Sequence, residues 1–133
     1  MKQFDDVVLE EIKKYTQGAD PDAYIYCVKY ANIFLFVMFG LLAQKPHILA
    51  LRGDQLLFLR SSFGGNKFKG DYFILQKADI QNVGYKKFFL AHYITITKND
   101  GTKLRFVASH AYKRLAKQAE SLEKIKQKLG ITA

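Results

Sequence analysis

The apolar positions recur with two different periods along this chain. Phe4, Val8, Ile12 and Tyr15 follow at spacings of four, four and three, which predicts a helix with one apolar face. Asp5 and Asp6 open it and Lys13 and Lys14 close it, as the helix dipole favours. Gly18 suits the left-handed C-terminal turn, and Pro21 stands just beyond.

From Ala23 the texture changes to strands. Tyr24 to Tyr30 is rich in aromatic and β-branched residues, and His47 to Leu51 follows Pro46. Arg52-Gly53-Asp54-Gln55 turns the chain into Leu56 to Arg60, a hairpin signal. Ser61 to Gly70 reads as a polar loop, Tyr72 to Leu75 as a strand, Gln76 to Asp79 as a turn, and Ile80 to Phe89 as a strand broken at Gly84. His92 to Thr97 alternates cleanly, Asn99-Asp100-Gly101 is the strongest turn signal, and Lys103 to Val107 alternates beyond it.

The end is predicted as a helix capped by Ser109, with Tyr112, Leu115, Ala119, Leu122, Ile125 and Leu129 on one stripe and Gly130 as its stop. No internal repeat, low-complexity tract or linker interrupts the chain. The order is helix, about seven short strands, helix, in a single domain.

That order resembles the pleckstrin-homology-like barrel, in particular the small bacterial members of the YokE-like type. Three places carry the resemblance: the glycine turn and apolar run Gly53-Asp54-Gln55-Leu56-Leu57-Phe58-Leu59-Arg60; the step Ala78-Asp79-Ile80-Gln81-Asn82-Val83; and His92–Val107 with its Asn-Asp-Gly hairpin and following helix. It covers residues 23–129 and contains no catalytic signature. Many relatives have a Thr-Asp/Asn-Lys/Arg step where this chain has Leu51-Arg52-Gly53-Asp54. The basic pattern along the first two strands of lipid-binding eukaryotic members is interrupted here by an apolar connection, so phosphoinositide binding is not carried over. The resemblance implies an α+β fold: about seven antiparallel strands in two sheets forming a barrel, with a C-terminal capping helix; the helix predicted within residues 1–20 is an addition to it.

Composition sharpens this picture. A chain of 133 residues, 49% hydrophobic and 25% charged, has an ordinary globular balance and excludes a disordered tail or a rod. The net charge of +9 is unevenly spread: residues 1–24 hold three Lys against six Asp and Glu, so the rest is strongly basic. A basic body points to anionic partners, while surface lysines also serve solubility. The acidic start, with no apolar core behind it, gives no sign of a secretion signal. The expected compartment is a bacterial cytoplasm, with peripheral contact to the membrane as an option.

Several sequence features are poor candidates for chemistry. The single Cys27 cannot form an internal disulfide and reads as a buried small hydrophobe. Gly65 and Gly70 have phosphate-loop separation, but Asp71-Tyr72 follows where Lys-Ser/Thr is required. Arg52-Gly53-Asp54 is an adhesion tripeptide that reads as a tight turn. His47, His92 and His110 have no ligand spacing on one element, and no Gly-x-Ser-x-Gly elbow occurs. No catalytic residue, metal, cofactor or small-molecule substrate is expected. An enzyme of unrecognised type is the third-ranked reading.

The expected function is that of a non-catalytic binding module contacting a protein partner or an anionic membrane surface; a nucleic-acid-binding protein is the alternative. Lys67, Lys69, Lys86, Lys87, Lys103 and Arg105, on strand ends and loops, are the candidate anion contacts, set against a plainly solvated surface. Lys86-Lys87-Phe88-Phe89 places two charges beside two aromatics, a mixture suited to a membrane surface or a base. The candidate partner contact is the uncharged segment Ile33–Leu42, with Phe34, Phe36, Met38, Phe39 and Leu41. The apolar run Ile33–Ala43 is shorter than the roughly twenty residues a spanning helix needs. It can fold back onto its own barrel, bury itself in a homodimer, or dip into a bilayer with Lys29 and Lys45 at its flanks.

Overall fold

The computed structural model describes residues 4–30, 44–61, 68–112 and 114–131, and of Phe4, Gln44 and Lys69 the backbone only. Helix α1 (Phe4–Lys13) is followed by strands β1 (Ala23–Tyr30), β2 (Gln44–Arg52), β3 (Gln55–Ser61) and β4 (Phe68–Gln76). A 3-10 turn (Lys77–Asp79) leads into β5 (Ile80–Phe88), β6 (Ala91–Lys98) and β7 (Lys103–Ser109), and helix α2 (Gln118–Lys128) ends the chain. The expected order of elements is the observed one.

All seven strands pair antiparallel in one ladder, ordered β4-β3-β2-β1-β7-β6-β5. This corrects the expectation of two sheets. The last residues of β1, Val28 to Tyr30, pair with Val107 to Arg105 of β7, so the two halves become one continuous sheet. Strands β4 and β5 are its edges, so the sheet is not a closed barrel among the described residues. It nevertheless curls: Phe58 on β3 meets Phe106 on β7 edge-to-face at 5.7 Å, although two strands separate them in the ladder.

Alternation sorts the side chains into two cores. On the concave face, Ile25, Cys27, Leu49, Leu51, Leu56, Phe58, Ile94, Ile96, Leu104 and Phe106 pack with Leu122 and Ile125 of α2. On the convex face, Ile48, Ala50, Leu57 and Leu59 pack with Val8 and Ile12 of α1 and with Leu115. β2 and β3 are therefore buried on both faces, which explains why their sequences are continuous apolar runs. Acidic groups of α1 make both tertiary and intrahelical contacts. Asp5 accepts hydrogen bonds from the Tyr24 hydroxyl at 2.8 Å and the Ala116 N–H at 3.0 Å, and Lys14 pairs with Glu11 at 2.9 Å.

The C-terminal helix differs from its prediction. It begins at Gln118, not after Ser109, whose hydroxyl accepts from the Ala111 N–H in a local turn. Ala119 is exposed, and Gln118, Ser121 and Lys126 are buried beside Leu122 and Ile125. The cause is a tertiary demand. Where β7 diverges from β1, the Tyr26 backbone loses its strand partner, and the Gln118 amide replaces it. Gln118 accepts from Tyr26 N–H at 3.0 Å and donates to Tyr26 C=O at 3.0 Å and Ser109 C=O at 3.1 Å. β4 also starts earlier than expected, within the presumed loop, and β5 runs unbroken through Gly84. Arg52-Gly53-Asp54 is the expected tight turn, with Gly53 at φ +58°.

Candidate functional site

The β5–β6 hairpin turns through Phe89 and Leu90, between the paired positions Phe88 and Ala91. Alternation along β5 puts Tyr85 and Lys87 on the core side, opposite Ile94 and His92. Lys86 and Phe88 point outward, opposite Tyr93 and Ala91. At the tip, Phe88, Phe89 and Leu90 are 59%, 80% and 53% exposed, and the two phenylalanine rings meet edge-to-face at 4.5 Å. Phe89 adopts φ +53°, a left-handed conformation costly for a bulky side chain.

The base of this hairpin is tied down by a half-buried polar chain. The Tyr85 hydroxyl lies 2.7 Å from His92 Nδ1, and His92 Nε2 lies 2.8 Å from His110 Nδ1. Lys126 of α2 sits over the Tyr85 ring at 4.7 Å and pairs with Glu123 at 3.2 Å. Burial holds the His92 imidazole below its ordinary pKa; Lys126, His110 and Lys87 push the same way, and Glu123 opposes them. The apolar tip thus projects from a base anchored to α2.

Behind the tip, the outer face of β5–β7 carries a groove of about 430 Å³ lined by Tyr30, Gly84, Lys86, Tyr93, Thr95 and Arg105. Gly84 pairs with Thr95, and a Cβ there would meet nothing nearer than Thr95 Cβ at 3.8 Å. The missing side chain deepens the groove. The Tyr30 and Tyr93 rings meet edge-to-face at 6.4 Å on this face, and Lys103 lies further along it, opposite Thr97.

The expected anion contacts whose side chains are described do not share one face. Lys86, Lys103 and Arg105 share the outer face, whereas Lys87 is on the opposite face beside His92. Lys69 belongs to β4, at the other edge of the ladder, and its side chain lies outside the described residues, as does the whole of Lys67. The segment Ile33–Leu42, with Phe34, Phe36, Met38, Phe39 and Leu41, lies outside the described residues too.

Sequence reading missed Leu90 and the pairing of His92 with His110. The turn Phe88-Phe89-Leu90-Ala91 contains no turn-forming residue, so its tip was not legible. The two histidines meet only because Ala91 pairs with Ser109. Among the described residues, no three His, Cys, Asp or Glu gather as metal ligands. Cys27 is buried, which raises its thiol pKa. No helix among the described residues is long and apolar enough to cross a membrane. In comparisons with known proteins, no family model and no curated sequence matches this chain.

Proposed function

We propose that this chain is a non-catalytic binding module that rests on an anionic membrane surface through the β5–β6 hairpin tip. The observation that carries the reading is the run Phe88-Phe89-Leu90, each more than half exposed, with Lys86 and Lys87 directly behind it. Each apolar side chain contributes roughly 1.5–3 kcal/mol when buried, and each lysine about 1 kcal/mol near an anionic surface. Apolar insertion combined with charge is a reversible two-signal attachment. The left-handed Phe89 adds support, since glycine or asparagine would sit there without strain. A curled antiparallel sheet with a C-terminal helix packed on its concave face supports the pleckstrin-homology-like reading of the fold. The uncharged segment 33–42 remains a proposed second contact, with a bilayer or a second copy.

Phe89→Asp tests this. The variant should keep its stability within about 0.5 kcal/mol of the parent, as expected for an exposed position. It should no longer co-sediment with vesicles of phosphatidylcholine and phosphatidylserine. A parent that ignores such vesicles, or a folded variant that still binds them, overturns the reading.

The groove over Gly84 favours a second reading, single-stranded nucleic acid, because Lys86 and Arg105 flank Tyr93 there. Oligonucleotide binding that falls steeply with salt and weakens in Arg105→Gln would support it.

A further inference from the structure

The two edges of the ladder are unlike. Strand β5 is blunted as an edge: its pairing with β6 shifts register between Ile80 and Asn82, and Gly84, Lys86 and Lys87 follow. On β4 the irregularities are confined to its start, where Gly70 has φ +86° and the pairing with β3 shifts register between Leu59 and Ser61. From Tyr72 to Gln76 the strand pairs residue for residue with Leu59 to Gln55. That stretch contains no charge, proline or glycine, the usual protections of an edge.

Strand alternation fixes which backbone groups are left over. The Lys77 N–H donates to the Asp54 carbonyl at 2.7 Å, so these two form a hydrogen-bonded pair at the end of the ladder. By alternation, Leu75 with Leu56 and Phe73 with Phe58 are hydrogen-bonded pairs too. At the intervening positions, Tyr72, Ile74 and Gln76, the N–H and C=O point away from β3, out of the sheet. No described strand pairs with them. The side chains of these same residues are exposed, Tyr72 by 53% and Ile74 by 46%. Their neighbours turn the other way: Phe73 stacks on Phe58 at 4.6 Å, and Leu75 is buried. Tyr15 of α1 meets the Tyr72 ring at 4.5 Å and extends the exposed apolar surface.

We propose that this edge pairs with the same edge of a second copy, β4 antiparallel to β4 about a two-fold axis at Ile74. The chain's own charges select the occupant. Centring the pairing on Ile74 sets Tyr72 across from Gln76 of the second copy, and Asp71 across from Lys77 of the second copy. A two-fold interface uses one patch twice, so the ion pair forms on both sides of the axis. None of the ion pairs among the described residues engages Asp71 or Lys77 within one copy. Ile74 meets Ile74, with a Tyr72 ring on the diagonal at each side, and such cross-strand pairs stabilise a sheet. Sliding the register by two residues would set Asp71 against Leu75 and forfeit both ion pairs, so charge fixes the register. The interface is small, and the dimer is accordingly weak and concentration-dependent. It lies at the edge opposite the β5–β6 hairpin and stands separately from the membrane reading above.

Sedimentation equilibrium of the full chain, over micromolar to submillimolar concentrations, tests the proposal. The parent should dimerise reversibly. Ile74→Lys places like charges face to face at the axis and should weaken the dimer by about tenfold or more. Because Ile74 is exposed, this variant should keep the parent's urea unfolding midpoint, which separates lost association from lost fold. Ile74→Pro removes the outward N–H while Phe73 and Leu75 keep their bonds to β3, and it should weaken the dimer as strongly. Asp71→Lys and Lys77→Asp should each weaken it severalfold. The double variant restores both ion pairs in reverse and should recover the parent's affinity. Phe89→Asp should dimerise as the parent does, so failure of the hairpin reading and failure of this interface give different results.

A parent that stays monomeric leaves the edge to a strand of another protein and overturns the self-pairing. A dimer indifferent to Ile74→Lys places the contact elsewhere, such as segment 33–42, and overturns it as well. A double variant no tighter than the single ones overturns the register centred on Ile74.

Discussion

The two halves of the sheet bury themselves differently. β2 and β3 lie between two layers: α1 covers Ile48, Ala50, Leu57 and Leu59 on the convex face, while Leu49, Leu51, Leu56 and Phe58 face the concave core. β6 and β7 bury one face only, with Ile94, Ile96, Leu104 and Phe106 inward and Thr95, Thr97, Lys103 and Arg105 outward. Along β2 and β3, Ile48 to Leu51 and Leu56 to Leu59 are buried on both faces. The second half keeps an outer face with a groove and an apolar hairpin tip, where Lys86, Lys103, Arg105 and Phe88 to Leu90 lie. Covering by α1 therefore makes the halves unlike: β2 and β3 are sealed on both faces, while β6 and β7 keep one face open.

The largest expected effect comes from breaking the covered half on its outer side. Leu59→Asp removes a side chain packed under α1 and buries an unpaired carboxylate, which should cost more than about 4 kcal/mol and abolish cooperative urea unfolding. A Leu59→Asp protein with the parent's unfolding midpoint would show that α1 does not seal this face.

A smaller effect is expected on acidification. The folded His47 pKa is depressed to about 4, below its ordinary 6.5, so the unfolded chain binds the proton more readily. The stability contributed by neutral His47 is complete above about pH 6.5 and declines as pH falls towards 4, by roughly 2–4 kcal/mol in all. His92 is shifted in the same direction and adds to the slope. Urea midpoints of the parent and His47→Gln at pH 7 and pH 4.5 check this; identical pH dependence in the two would exclude His47 as the cause.

The smallest effect belongs to the uncovered face. Thr95→Gln puts a longer polar side chain on the outer side of β6 and should change stability by less than about 0.5 kcal/mol, measured by the same midpoints. A loss comparable with that of Leu59→Asp would mean that this face is covered after all, and the contrast between the halves would fail.

Much of this contrast was legible in the chain. Ile48 to Leu51 and Leu56 to Leu59 are unbroken apolar runs, as strands buried on both faces require, whereas His92 to Thr97 alternates as a strand with one wet face must. Arg52-Gly53-Asp54 and Asn99-Asp100-Gly101 marked their hairpins correctly. The Phe89-Leu90 tip was not marked, because a turn made of large apolar residues carries no turn signal. The stripe on the last helix was half right: Leu115, Leu122 and Ile125 are buried, but Gln118 replaces Ala119.

By itself, then, the sequence determined the order and type of the elements, their hydrophobic faces and most of their turns, since these depend on contacts within a few residues. Tertiary structure alone decided that β1 joins β7 and makes one sheet of two halves. It also decided that the last helix begins where Gln118 reaches Tyr26, 92 positions away in sequence. The same holds for the meeting of His92 with His110. These outcomes follow from closing a core and satisfying backbone groups between distant segments, and local periodicity carries no record of which distant segments meet.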